Sequence, residues 1–162
     1  MRIYNVPDVS EHQPNFDFTP YAGKYAILRA GVASREDYSF RRHVSECQRL
    51  GITIGVYFYS YALNTAQAIE EAQRFLSIID GVDIGLGVWL DMEDADHYKV
   101  NNGVAITHDN IASMSRAFCD VIASAGYYTG VYTSLSWLGY LAPECDPYDK
   151  WVAAWGNNDG SH

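Results

Sequence analysis

Long apolar runs are missing from this sequence. No stretch of about 20 consecutive apolar residues occurs, so no segment is expected to span a bilayer. Positive charge is scarce: 11 Lys and Arg stand against 20 Asp and Glu, a net charge of −9. That balance argues against nucleic acid and against an anionic membrane surface as partners. Cysteine is sparse and odd in number; Cys47, Cys119 and Cys145 lie far apart with no zinc or redox spacing. Cys47 and Cys119 fall in expected helices, where a buried thiol is the natural reading. No Gly-x-Gly-x-x-Gly follows the first apolar run, which leaves a dinucleotide fold without support, and no cofactor is expected. The opening Met-Arg-Ile-Tyr-Asn-Val-Pro lacks the apolar core of a signal peptide. Linkers, repeats and low-complexity segments are also lacking.

What is abundant is aromatic. Phe, Trp and Tyr make up 14% of the 162 residues, with 13 Tyr and 4 Trp. These side chains join a flat apolar face to a polar edge, which suits sugar rings, although many serve simply as packing. Apolar residues at 48% and charged residues at 19% describe a globular chain, read as one domain over residues 1–162. Strands are expected at Ile3–Val9, Tyr25–Val32, Ile52–Tyr61, residues 86–93, Thr129–Thr133 and Trp151–Trp155. Between them, apolar residues at helical spacing predict helices over Phe40–Leu50, closed by Gly51, and over Ala66–Ile79 behind an N-cap at Thr65. A third helix opens at Thr107 or His108 and runs to Ala125, before Gly126. Strand alternating with helix implies an α/β fold with parallel strands and right-handed crossovers. Polar residues gather just after the apolar runs, which favours an irregular (β/α) barrel with its site at the C-terminal strand ends over an open sheet. Such barrels normally close with eight strands in roughly 200–250 residues. The six strands legible here therefore predict a barrel lacking its last strands, poorly active or associating through unpaired sheet edges.

The chemistry centres on Gly85-Leu-Gly-Val-Trp-Leu-Asp-Met-Glu-Asp-Ala-Asp96. An apolar run ends abruptly in acid, as a buried strand delivering carboxylates at its C-terminal end. Residues i and i+2 of a strand share a face, about 6.5–7 Å apart, so Asp91 and Glu93 point the same way. Two carboxylates so placed repel, and one is expected to hold its proton near neutral pH while the other stays ionised. A proton donor beside an anion is what glycosidic-bond hydrolysis requires; the plain alternative is a strand running into a solvated acidic loop. Asp91 to His97 also packs five potential metal ligands into seven residues, but no frame fits an EF-hand loop and no His-x-x-x-His helix is present. No metal is expected.

Several motifs in order resemble glycoside hydrolase family 25, the lysozymes of N-acetylmuramidase type. Asp8-Val-Ser-Glu-His-Gln13 resembles the family's Asp-Val-Ser-x-x-Gln opening, and Leu90-Asp-Met-Glu-Asp94 its Asp-x-Glu strand end. Gly55-Val-Tyr-Phe-Tyr-Ser-Tyr61, Ala125-Gly-Tyr-Tyr-Thr-Gly-Val-Tyr132 and Trp151-Val-Ala-Ala-Trp155 are similar to its third, fifth and sixth strands. The resemblance implies an irregular eight-strand barrel that cleaves the β-1,4 bond from N-acetylmuramic acid to N-acetylglucosamine in bacterial peptidoglycan. It further implies Glu93 as general acid, Asp91 as its ionised partner and Asp8 as a third carboxylate. A cell-wall or extracellular destination, a phage endolysin included, goes with that activity. The family adds another Asp from its last strands, and this sequence stops before reaching it. That missing Asp and the aromatic excess leave room for a wall-binding protein that no longer cleaves. Among the other residues, Tyr59 and Tyr61 share a strand face near the acids and are expected to bond to them or to sugar hydroxyls. Tyr57, deeper, is expected in the core. Trp155 is expected as a stacking platform and Tyr132 as a lining residue. Arg29 interrupts an apolar strand and needs a partner; one of the site carboxylates is expected.

Overall fold

A computed structural model of the chain describes residues 5–154. One sheet of seven strands organises it: β1 (Asp8–Val9), β2 (Tyr25–Val32), β3 (Arg35–Glu36), β4 (Thr53–Tyr59), β5 (Val88–Asp91), β6 (Thr129–Ser134) and β7 (Asp149–Ala153). The order is β1-β2-β4-β5-β6-β7, all parallel, with β3 turning back antiparallel on β2. The alternating strands and helices expected from the sequence are therefore present, as a curled half-barrel with β1 and β7 at its two ends. Among the described residues no helix is long and apolar enough to cross a membrane.

The two faces of the sheet differ in composition because alternate residues point to opposite sides. Leu28, Val56, Phe58, Val88, Leu90 and Val131 are fully buried on the convex face. They pack beneath helices α1 (Phe40–Arg49), α2 (Thr65–Ile79) and α4 (His108–Ser124). Phe58, Phe75 and Phe118 join strand to both larger helices, with ring centroids 5.5–6.1 Å apart. The concave face carries the opposite parity and remains partly open. Cys47, Cys119 and Cys145 are buried thiols in this core, and burial pushes them up to about 12, 12 and 11.

Local signals account for the element ends. Leu50 caps α1, and Gly51 follows at φ +63, a left-handed conformation open to glycine. Thr107 caps α4 by accepting from the Asn110 amide. The cap of α2 is Asn64 and not Thr65: residue 64 is extended, and its side-chain oxygen accepts from the Gln67 amide at 3.0 Å. Both residues are good caps, and only the backbone geometry chose between them. Two small elements had no periodic signal, the β3 hairpin and the four-residue helix α3 (Tyr98–Asn101). Of the first strand expected at Ile3–Val9, Asp8–Val9 is a strand in the structure, and residues 3 and 4 lie outside the described residues.

Candidate active site

Strand register builds the site. Tyr59 pairs with Asp91, Asp91 with Tyr132, and Tyr132 with Trp151, so one row crosses four adjacent strands on the concave face. Partners on neighbouring strands lie about 4.8 Å apart. A second row, Arg29, Tyr57, Trp89 and Gly130, lies two residues deeper. Gly130 is required there, because a Cβ would come within 2.5 Å of both the Trp89 ring and the Asp149 carbonyl oxygen. Its absent side chain lets Trp89, Tyr132 and Trp151 form an aromatic floor, with Trp151 centred 6.1 Å from Trp89 and 4.6 Å from Tyr132.

Above this floor lies a cavity of about 260 Å³, with Asp8, Asp91 and Glu93 in its wall. Arg29, Tyr57 and Tyr59 also line it, with Tyr132 and Trp151 from the floor, and Ser10 and His12 at the rim. Asp8, Arg29, Tyr59, Asp91, Glu93 and Tyr132 all line this one cavity. Tyr61 faces an adjoining cavity of about 310 Å³, which shares His12, Arg29 and Tyr59 with the first. There its hydroxyl donates to Asp96 at 2.5 Å. Tyr61 is therefore bound to an acid outside the central three. Trp155 lies outside the described residues.

Burial orders the three acids. Asp91 is 4% exposed, and its Oδ1 finds no hydrogen-bond partner among the described residues. Desolvation, then the charges of Glu93 and Asp8, push it well above the ordinary carboxylate range. Glu93 is half-buried and also raised, mainly by desolvation, with Asp96 and Asp8 adding to the rise and Lys99 opposing it. Asp8 is raised by desolvation in the cavity wall, although the residue is exposed; the Tyr57 hydroxyl and Arg29 act in the other direction. The sequence-based expectation left Asp91 ionised beside a protonated Glu93. Asp91 is the deeper of the two, so in the free protein its ionised form carries the greater cost of burial. Carboxyls that disfavour one another's ionised forms titrate as a set and not singly. Burial likewise lifts the phenol of Tyr132 to about 12, so it remains a hydrogen-bond donor at neutral pH.

Arg29 has partners other than the expected site carboxylate. It donates to Asp37 at 2.8 Å and lies 3.0 Å from a Glu11 oxygen, not in contact with the three site carboxyls. Asp37 also accepts from the main-chain amides of Glu11 and Ser39, and Glu11 clamps Arg35 at 2.7 Å. Hydrogen bonding to Arg35 holds the Glu11 carboxyl at about 2. This network ties the loop after β1 to the β2–β3 hairpin and so places Ser10 and His12 at the rim. Gln13 serves the same loop, its side-chain oxygen accepting from the Ser10 amide at 3.0 Å. The Asp37 side chain is wholly buried. Asp37→Ala is accordingly expected to lower stability by about 3–5 kcal/mol, the cost of stranding a buried charge. Urea denaturation checks this; a midpoint equal to that of the parent would show that Glu11 alone satisfies Arg29.

Other acidic residues of the 91–97 stretch splay apart. Asp94 accepts from the main-chain amides of Lys99 and Val100, capping α3, and Asp96 is engaged with Tyr61. Among the described residues no group of three or more His, Cys, Asp or Glu side chains is arranged to hold a metal ion. The sequence reading missed three parts of the site: Trp151, His12 and the inward turn of Tyr57. Strand parity could have found two of them. Trp151 is an even number of residues from Trp155 in the expected strand, and Tyr57 shares its face with Tyr59, whereas His12 sits on a loop with no periodicity to read.

A model of the glycosyl hydrolases family 25 matches residues 7–162. Among solved structures, the modular autolysin LytC from Streptococcus pneumoniae, in complex with a synthetic peptidoglycan ligand, is similar with a TM-score of 0.78 at 27% identity. That match covers 96% of this chain and 38% of the autolysin. The catalytic domain of endolysin ply40, from bacteriophage P40 of Listeria monocytogenes, matches with a TM-score of 0.75 at 22% identity, covering 96% of this chain and 76% of that one. A muramidase from Acremonium alcalophilum gives 0.72 at 19% identity, covering 99% and 81%. The chain spans between about 38% and 52% of the length of the first three structures it matches. No curated protein sequence matches it.

Proposed function

This chain belongs to glycosyl hydrolase family 25, and from that premise we propose that it hydrolyses bacterial peptidoglycan at the β-1,4 bond between N-acetylmuramic acid and N-acetylglucosamine. The observation that carries the reading is the convergence of Asp8, Asp91 and Glu93 on one aromatic-walled cavity that favours their protonated forms. The synthetic peptidoglycan ligand bound by the pneumococcal autolysin supports the substrate class.

Glu93 is the general acid. Its carboxyl is the more accessible of the pair and can reach a glycosidic oxygen in the cavity, and its raised pKa keeps a proton to donate. Asp91 is the anion that the reaction calls for. A buried carboxylate is strongly disfavoured on its own, and positive charge developing at the anomeric carbon, or a donated hydrogen bond from the 2-acetamido group, offsets that penalty. The reactive arrangement, with Glu93 protonated and Asp91 ionised, is one of the ways the coupled set holds a proton. Asp8 tunes the pair from across the cavity. Trp151 and Tyr132 offer the ring faces and edges against which a pyranose packs, the part the sequence had given to Trp155. The bacterial cell wall is the place of action.

Digesting purified peptidoglycan and weighing the soluble muropeptides by mass spectrometry tests the bond. Fragments ending in reducing N-acetylmuramic acid are expected; reducing N-acetylglucosamine would overturn the bond assignment. Binding to walls with no release of reducing ends would favour a non-cleaving wall-binding role on the same scaffold.

A further inference from the structure

Lys99 takes no part in the chemistry above, and its position is hard to explain as packing. It is 1% exposed on α3, and a buried lysine is rare unless its ammonium is fully engaged. Its Nζ donates to two main-chain carbonyls, Ser60 at 2.5 Å and Glu93 at 3.1 Å. Ser60 directly follows β4 and Glu93 lies two residues beyond β5, so one side chain ties together the ends of the two strands that present Tyr59 and the acid pair. Both ends of this tie are braced. Ser60 donates through its hydroxyl to Glu71 on α2 at 2.6 Å, and Glu71 also accepts from the Tyr61 amide at 2.9 Å. The Asp94 carboxylate, next to Glu93, binds the Lys99 amide at 2.7 Å.

Charge surrounds the same ammonium. Glu71 faces it from α2, and Asp94, Asp91 and Asp96 face it from β5 and the loop that follows. Burial lowers the Lys99 pKa and these four carboxyls oppose the fall. Around Glu93 stand Lys99, Asp96 and Asp8, with Asp91, Tyr59 and Tyr132 also within electrostatic reach. Of these, Lys99 is the group that favours the ionised carboxyl at Glu93.

We propose that Lys99 is a positioning residue for the hydrolytic reaction: it fixes the Glu93 main chain so that the carboxyl projects into the cavity, and it sets a positive charge behind the acid pair. The inference rests on the reading of Glu93 as general acid. A strut between two strands needs only neutral donors; a charge in this place also adjusts how readily Glu93 releases its proton.

Two neutral replacements separate the roles. Lys99→Met fills the volume without a donor, and Lys99→Gln keeps one donor without charge. Both are expected to move the Glu93 titration upward by about half a pH unit or more, read by NMR of carboxyl-labelled protein, which needs no turnover. The alkaline limb of the kcat profile is expected to move by the same amount. Loss of position is graded: kcat falls about tenfold in Lys99→Met and less in Lys99→Gln, with KM within about twofold of the parent. If Lys99→Met does not fold, Lys99→Gln still carries the titration and the profile. An unmoved Glu93 titration in a folded variant, or a change confined to KM, overturns the proposal. Glu93→Gln serves as control. If it is inactive while the Lys99 variants match the parent, only the role of Lys99 falls; if it remains active, the general-acid assignment itself falls.

Discussion

Replacing Glu93 by glutamine is expected to slow the clearing of a wall suspension by about 10²–10⁴-fold, the range lost with a general acid, while binding to walls is retained. Glutamine keeps the size of the side chain and its contacts but has no proton to give a leaving oxygen. The aromatic walls of the cavity, Tyr59, Tyr132 and Trp151, are untouched by the change, so affinity for glycan has no reason to fall with the rate. Turbidity assays at matched concentrations, with a parallel pull-down on insoluble walls, separate the two quantities. A variant that cleared walls at the parental rate would remove Glu93 from the mechanism and leave Asp91 and Asp8 as the acids to examine.

Asp91→Asn is expected to do two opposite things, to abolish most activity and to stabilise the fold at neutral pH. In the proposed mechanism the activity loss follows from removing the anion assigned to meet the developing positive charge, about 10²–10³-fold by analogy with other preorganised electrostatic groups. The stability gain follows from linkage. The folded-state pKa of Asp91 lies well above the 3.8 of an unperturbed carboxyl. Between those two values the folded chain holds a proton that the unfolded chain has released, so stability falls as pH rises through this window. Asparagine never ionises and escapes the loss. At neutral pH the variant is therefore expected to be more stable by about 1–3 kcal/mol, the usual cost of a poorly satisfied buried polar group. In a domain of this size that corresponds to roughly 2–12 °C in melting temperature. Near pH 4 the difference should nearly vanish, because Asp91 is protonated in the folded parent. Thermal melts from pH 4 to pH 8 check both arms. A parallel offset at every pH would show that the gain comes from packing and not from the carboxyl.

The same physics explains what could be read in advance. Period-two alternation in β4 and β6 and helical spacing in α2 and α4 are local properties, so those elements and the parity of Tyr59, Asp91 and Tyr132 were legible residue by residue. The motifs around Asp8 and Asp91 carried the family only together with the three similar strands in order, because a strand end that delivers acids by itself fits a solvated loop as well. The N-cap of α2 was misplaced by one residue because Asn64 and Thr65 are both able to cap. The partner of Arg29 was missed for a different reason. Asp37 and Glu11 come from a two-strand hairpin and a loop, whose approach to β2 no periodicity records.

By itself, the sequence determined the alternation of strands and helices, the face of each strand that meets the cavity, and the carboxyl-rich strand end on which the proposed acid chemistry rests. The tertiary structure decided how deeply each of those residues is buried and what holds them in place. Asp91 and Glu93 are two residues apart and chemically alike, yet one is deeply buried and the other half-open, and desolvation depends on the whole enclosure rather than on neighbours in sequence. Lys99 is the plainest case. In the sequence it is one cation in a polar loop; in the fold it is buried behind Asp91 and Glu93, bound to the strand ends that carry the site.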